Sequence, residues 1–451
     1  MRPRRGTLAR TIAVSVAATL AASVTACSSG SGSSSSSGSP GAGASPVTIR
    51  YLTHWGPDQV QQMQKVADAF TKENPNIKVV FQAVPFGNLL STLQTQGSSE
   101  NGPTIAGIYD LWLPQLVGSG AVAVAPDAIS AGVKANWPAN LVQNASSNGK
   151  VYGIPNEVDL YQLNYNKKLF AEAGITAPPK TFDELVSVAA KLTNKDKGQQ
   201  GLGLITNWAA GVNHPFLSLV ASNGGSFLTE DKSKSNLLSK NVVETANLYD
   251  TLVKAGSTVP SMSAANADTT GPFLDNFANG KTGMIIMANW WESTLKQSMG
   301  ANFGDVGTAP IPVGPSGTKS SSISYSWMTV VNAKANPQAQ AAAWKFLDYL
   351  NGPTSGKSGS SGMGDVLMAM GILPSRNSDL TAHQGTLGGE FIKSYVDGIK
   401  DATPFPVTLG GAAASDALQK SIEDLIFGRV SPQDALTTAD TSVNAALNAA
   451  K

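Results

Sequence analysis

Strand-like and helix-like runs of apolar residues take turns along most of this chain. The stretch "VTIRYLTHWGPD" opens as a strand and closes on a Gly-Pro turn, after which Met63, Val66, Ala67 and Phe70 recur at helical spacing. Asn74 and Pro75 stop that helix. In "IKVVFQAV", Ile77, Val79, Phe81 and Ala83 share one face of a second strand, "FGNLLSTLQTQ" predicts a helix, and "TIAGIYD" a third strand. This β-α-β-α-β order predicts a parallel sheet covered by helices.

The alternation continues. "TFDELVSVAAKL" opens with Thr181 and Glu184 at capping-box spacing and carries Leu185, Val188, Ala189 and Leu192 as an apolar stripe. "GLGLI" predicts a strand, residues 240 to 255 a helix, and "TGMIIMA" another strand. In "NPQAQAAAWKFLDYL" the inward face is Ala343, Phe346, Leu347 and Leu350. Two helices close the chain, one capped near Ser415 and ending at Gly428, the other opening "SPQDAL" with Pro432 in its first turn. A core of this extent divides, which predicts two α/β lobes.

The N-terminal region has a different character. Arg2, Arg4, Arg5 and Arg10 precede the apolar run "TIAVSVAATLAASV", so residues 1–26 have the form of a signal peptide, too short to span a bilayer comfortably. The run ends in "VTAC", which is similar to the bacterial lipobox and predicts lipid attachment at Cys27, the one cysteine. Arg4 and Arg5 also raise twin-arginine export; either route leads outside the cytoplasm. Residues 27–46, rich in Gly and Ser, predict a flexible tether of roughly 25 Å r.m.s. span. The expected localisation is extracytoplasmic, on a lipid anchor. Losing the leader removes four arginines and no acid, so the formal +1 becomes a small negative charge with no basic surface for nucleic acid. No disulfide is available to the mature chain, whose fold must rest on its core.

Candidate chemistry narrows quickly. His54, His214 and His383 lie far apart and have no cysteine partner, so neither a metal site nor a cofactor is expected. "GPTSGKS" at 352–358 is one residue short of a P-loop and follows a helix, which reads as a loop. There is no G-x-S-x-G elbow. Glu157 and Asp159, two apart, face the same side of an extended strand. Three readings of that pair stand open: a glycosidase pair, a solvated or hinge-bonded pair, or acceptors for ligand hydroxyls.

The pair sits in "YGIPNEVDLYQLNYNKKLFAEAGITAPPKTFDELVSVAAKLT". With "FANGKTGMIIMANWW" and "SPQDAL", this segment resembles the extracellular solute-binding proteins of sugar ABC importers, the maltose-binding-like group, over essentially all of 47–451. The resemblance implies a type II, two-lobed periplasmic-binding-protein-like α/β fold with the ligand cleft between the lobes. It also implies a carbohydrate ligand, an ABC importer permease as partner, no catalysis and a monomer. Crossovers near 156, 323 and 375 would divide the chain into lobes 47–155 plus 325–374 and 156–324 plus 375–451.

A sugar needs flat aromatic faces and planar polar partners. By the resemblance, Trp290 is a stacking platform, Trp291 core, and Glu157 and Asp110 acceptors at strand C-termini. Trp55 and Trp208 are further candidate platforms, and Asp159 a further acceptor. "SYSW" at 324–327 stands where a Gly-Gly pair is common in the family, so Tyr325 and Trp327 would shape a distinct pocket. A ligand other than sugar, such as a polyamine, an extracellular glycosidase and a surface adhesin are the rival readings.

Overall fold

The computed structural model describes residues 45–99, 101–266 and 271–451. The leader, Cys27 and the tether up to residue 44 lie outside the described residues. Among those described, no helix is long and apolar enough to cross a membrane.

The expected β-α-β-α-β unit is present as β1 (Val47–Thr53), helix Pro57–Glu73, β2 (Ile77–Ala83), helix Phe86–Gln96 and β3 (Ile105–Tyr109). β1 runs between β2 and β3 and parallel to both. Met63, Ala67 and Phe70 are buried on the first helix, and Asn74 ends it by turning its side-chain amide back onto the Phe70 carbonyl. A small hairpin, β4 (Ser146–Ser147) with β5 (Lys150–Val151), leads into β6 (Gly153–Asn166).

The sheet departs from an all-parallel one at β6. This strand has 14 residues, nearly all buried. It is long enough to serve two groups of strands in turn. Residues 153–160 pair antiparallel with β10 (Ile323–Val331), which in turn pairs antiparallel with β3. Residues 161–166 pair antiparallel with β8 (Thr282–Ala288) and β9 (Val306–Ala309), and β8 runs parallel to β7 (Gln200–Gly203). The strand order is β2-β1-β3-β10-β6-β8-β7, with β9 beside β6 and the two-residue β11 (Thr403–Pro404) beside β10. Strands covered on both faces lose the polar alternation that identifies a strand in sequence, which is why β6 and β10 were not among the elements expected from periodicity.

Helix Pro337–Leu350 packs on β1 and helix Phe182–Leu192 on β7, each through its expected apolar stripe. Thr181 accepts from the Glu184 amide at 3.2 Å, and Glu184 reaches back to the amide of Lys180 at 2.6 Å, one residue before its expected target. At the C-terminus, helix Gly411–Ile426 packs against helix Pro432–Ala449. The first of these starts four residues before Ser415. Ser415 is buried inside it and accepts from Asn213, so its hydroxyl makes a tertiary contact in place of a cap.

β7 lies so close to helix Phe182–Leu192 that a Cβ on Gly201 would sit 2.0 Å from the Ala189 carbonyl oxygen. Gly201→Ala should therefore destabilise the protein by about 1–3 kcal/mol, read as a lower urea midpoint with unchanged slope. An unchanged midpoint would contradict this packing.

Candidate functional site

Antiparallel pairing puts directly opposed residues on the same face. Tyr325 lies opposite Asp159, and Trp327 lies opposite both Glu157 and Tyr109. Because side chains two apart share a face, Glu157, Asp159 and Tyr161 on β6 confront Tyr325 and Trp327 on β10, with Tyr109 completing the surface from β3. Asp110 follows at the end of β3. Glu157 departs from expectation: it sits early in β6, not at a strand C-terminus, because the strand runs on to the next group of partners.

The three carboxyls are almost fully buried, Asp110 at 0%, Asp159 at 1% and Glu157 at 3% relative exposure. Asp110 and Asp159 are each tied to the protein through one of their two oxygens. Asp110 Oδ2 accepts from Asn144 Nδ2 at 3.0 Å and from the amide and hydroxyl of Ser326 at 3.1 and 3.3 Å. Asp159 Oδ1 accepts from Asn289 Nδ2 at 2.8 Å. Asp110 Oδ1, Glu157 Oε2 and Asp159 Oδ2 receive no hydrogen bond from the described residues.

Burial pushes Asp110 up to about 7 despite the bonds from Ser326 and Asn144. Asp159 is likewise pushed up to about 7 by burial, with the charge of Asp110 adding to it and the Asn289 bond opposing it. Glu157 is raised well above the usual range by burial and then by Asp159, and these two carboxyls are near enough to hydrogen bond once one is protonated. That proximity argues against a glycosidase pair, whose carboxyls stand apart with the scissile bond between them.

Around the acids is a shell of rings. Trp290 is half-buried, and its indole N–H donates to the Tyr325 hydroxyl at 2.7 Å. Its ring centre lies 6.1 Å from that of Trp208 and 4.7 Å from that of Trp291. Trp291 is buried against Phe273, the core position expected of it. His54 stacks on Trp327 at 4.1 Å, with Phe86 and Trp112 at its edges. One face of Trp327 is thus covered by protein. Trp55 is also half-buried; it packs against the β1–β2 core, and among the described residues its ring makes no aromatic contact with this group.

Behind Tyr325 lies His214, whose two ring nitrogens meet the hydroxyls of Tyr109 at 3.1 Å and Tyr161 at 3.3 Å. Burial lowers it to about 3, so it stays neutral, accepting from one hydroxyl and donating to the other. Tyr109, Tyr161, His214, Asn144 and Asn289 were not singled out from sequence. Tyr161 was accessible, being two residues from Asp159, and Tyr109 precedes Asp110. His214 lies in the almost wholly buried helix Ala209–Ser222, where nothing local distinguishes it.

The structure thus joins Glu157, Asp159, Tyr325 and Trp327 by register and Trp290 and Trp208 by ring and hydrogen-bond contacts, while Asp110 is held by Ser326, which faces the other side of β10, and no contact among the described residues brings Trp55 into the group. Such a set can accept hydrogen bonds from a ligand while presenting apolar ring faces to it. Among the described residues no cluster suits a metal ion.

Comparison with known proteins places this geometry. The family described as bacterial extracellular solute-binding protein matches residues 56–357. A binding protein of Brucella abortus is 26% identical over 385 residues, covering 85% of this chain and 89% of that protein. The diacetylchitobiose binding protein of Streptomyces coelicolor is 28% identical over 371 residues, covering 80% and 82% respectively. Among solved structures, the GacH receptor of Streptomyces glaucescens, determined unliganded and with acarbose, superposes with a TM-score of 0.76 at 21% identity, covering 90% of this chain and 99% of that one. That likeness shows a shared two-lobed α/β fold.

Each raised carboxyl has a consequence for the unliganded protein. The ordinary value for Asp is 3.8 and the folded value about 7, so the folded chain holds protons that the unfolded chain has released across that window. Stability is therefore lost as pH rises from about 4 to 7, by on the order of 1 kcal/mol per pH unit for each such carboxyl. Urea titrations should show this slope, flattened in both Asp110→Asn and Asp159→Asn. Identical slopes in all three proteins would contradict it.

Proposed function

We propose that this chain, which belongs to the bacterial extracellular solute-binding protein family, captures a carbohydrate at the β6–β10 face and delivers it to the permease of an ABC importer. The observation that carries the reading is the confrontation of Glu157 and Asp159 with Trp327 and Tyr325 across one antiparallel register. Sugars combine apolar ring faces with hydroxyl donors, and this face offers aromatic surface beside carboxylate oxygens that the protein leaves without donors. Relatives that bind diacetylchitobiose or acarbose support the class of ligand.

In this reading the lobes are 47–155 plus 325–374 and 156–324 plus 375–451, and their closure over the sugar is the signal to the permease. Trp290 and Trp208, both half-buried, are the stacking surfaces. Asp110, Glu157 and Asp159 accept from hydroxyls, Tyr325 holds Trp290 in place, Trp327 is a wall of the pocket, and Trp55 borders it. The protein acts as a binding protein without turnover, as a monomer, held to the membrane by lipid on Cys27. The Glu157–Asp159 proximity leaves the glycosidase alternative without its second, opposed carboxyl.

A thermal-shift screen of the full chain against mono- and oligosaccharides tests this, because a ligand bound only by the native state raises the midpoint by mass action. We expect a saturable rise of about 2.7 kcal/mol in stability at a hundredfold excess over Kd, lost in Trp290→Ala. No shift with any sugar would refute the reading, and product formation on long incubation would replace it with an enzyme.

A further inference from the structure

We infer that the protein has a second small-molecule site on the far side of β6, a polar pocket that takes a neutral, polyhydroxylated compound of monosaccharide size. The inference is independent of the carbohydrate reading above, because this pocket and the Glu157–Asp159 face lie on opposite sides of the strand.

Side chains alternate along a strand, so Gln162 points away from the side that Asp159 and Tyr161 share. Helix Glu390–Gly398 packs over it, and closely: a Cβ on Gly398 would stand 2.4 Å from Gln162 Nε2. That Nε2 donates to the Ser394 carbonyl at 2.9 Å, which fixes the amide and leaves its oxygen as the other end. Gln162 is only 3% exposed, and among the described residues its Oε1 has no hydrogen-bond partner. Ser394 Oγ, buried on the same helix, is likewise without one. Both residues line a pocket of about 370 Å³, together with Thr308, Ser320 and Ser321. A volume of this size lies in the range of small-molecule sites.

The wall accepts hydrogen bonds more readily than it donates them. Thr308, Ser320 and Ser321 give their hydroxyl hydrogens to the carbonyls of Phe391, Ile311 and Asp401, at 3.0, 2.7 and 2.8 Å, and so offer a ligand only lone pairs. An anion cannot satisfy Gln162 Oε1, since it is itself an acceptor. A cation finds no unanswered charge. Glu390 pairs with Lys167, Asp397 with Lys393, and Asp401 with Lys319, while Lys400 also acts on Asp401. Hydroxyls on a neutral ligand supply the missing donors without bringing charge, and a hydroxyl can both donate to Gln162 Oε1 and pair with Ser394 Oγ. A buried acceptor without a donor is costly, so supplying one is the gain on binding.

Saturation-transfer NMR on the full chain carrying Trp290→Ala tests this, since that substitution silences the β6–β10 face. The probes are myo-inositol and methyl glucoside, the permethylated glucoside as the same ring without donors, and glucuronate and glucosamine as charged counterparts. The two neutral polyols should bind saturably and in preference to the other three. Gln162→Met should weaken their binding about fivefold, the scale of one hydrogen bond. Ser394→Ala keeps the carbonyl that holds Gln162 and should weaken it as well, which preserves the test if Gln162→Met fails to fold. No saturable signal from either polyol, equal binding of the permethylated glucoside, tighter binding of a charged probe, or binding unchanged by both substitutions would each overturn the inference. None of these outcomes bears on the carbohydrate reading, whose own test uses the chain with Trp290 in place.

Discussion

The antiparallel pairing of β6 with β10 is the interaction on which the rest of the molecule depends. It joins a group of strands built on β1 to a group built on β8, because β6 pairs with β10 over residues 153–160 and with β8 and β9 beyond. It also sets the site, since its register alone decides that Asp159 meets Tyr325 and Glu157 meets Trp327. A slip of one residue would turn every one of these side chains to the opposite face. The ladder is irregular immediately after Trp327, where the register shifts before Met328. Irregularities of this kind re-aim side chains and are common beside functional sites.

Burying three carboxyls in and next to this pairing opposes folding, and the structure offsets only part of that cost. Asn289, placed at the end of β8, holds both the Asp159 carboxylate and the Leu160 amide, and so ties the acid to the strand group beyond it. Asn144 and Ser326 do the same for Asp110. Asp110 Oδ1, Glu157 Oε2 and Asp159 Oδ2 still receive no hydrogen bond from the described residues. A protein that gained nothing from them would be more stable with amides or apolar residues there, which is the usual signature of a site kept for a ligand.

The paired tryptophans after β8 divide their labour. A strand leaving the sheet turns successive side chains to different environments, and the short 3₁₀ turn Asn289–Trp291 sends them apart. Trp291 goes into the core against Phe273 and Leu295. Trp290 touches all three hydrophobic clusters of the protein and remains only half-buried. Its indole N–H, fixed by Tyr325, sets the orientation of the ring. The hydrogen bond links β10 to the end of β8, two elements distant in sequence.

The sequence by itself determined the local elements and much of the chemistry. Helices with one buried stripe, such as Pro57–Glu73 and Phe182–Leu192, announce themselves because one face meets solvent and the other does not. The shared face of Glu157 and Asp159 follows from strand geometry, and the motifs around "YNKKLFAEAG" point to the family. Tertiary structure alone decided that β6 serves two sets of partners and that β10 stands opposite it. It alone brought His214 between Tyr109 and Tyr161, and moved Ser415 from a cap into a buried contact with Asn213. The physical reason is that periodicity records exposure along one segment. Elements buried on every side carry no such record, and partners more than a hundred residues apart meet only when the sheet assembles.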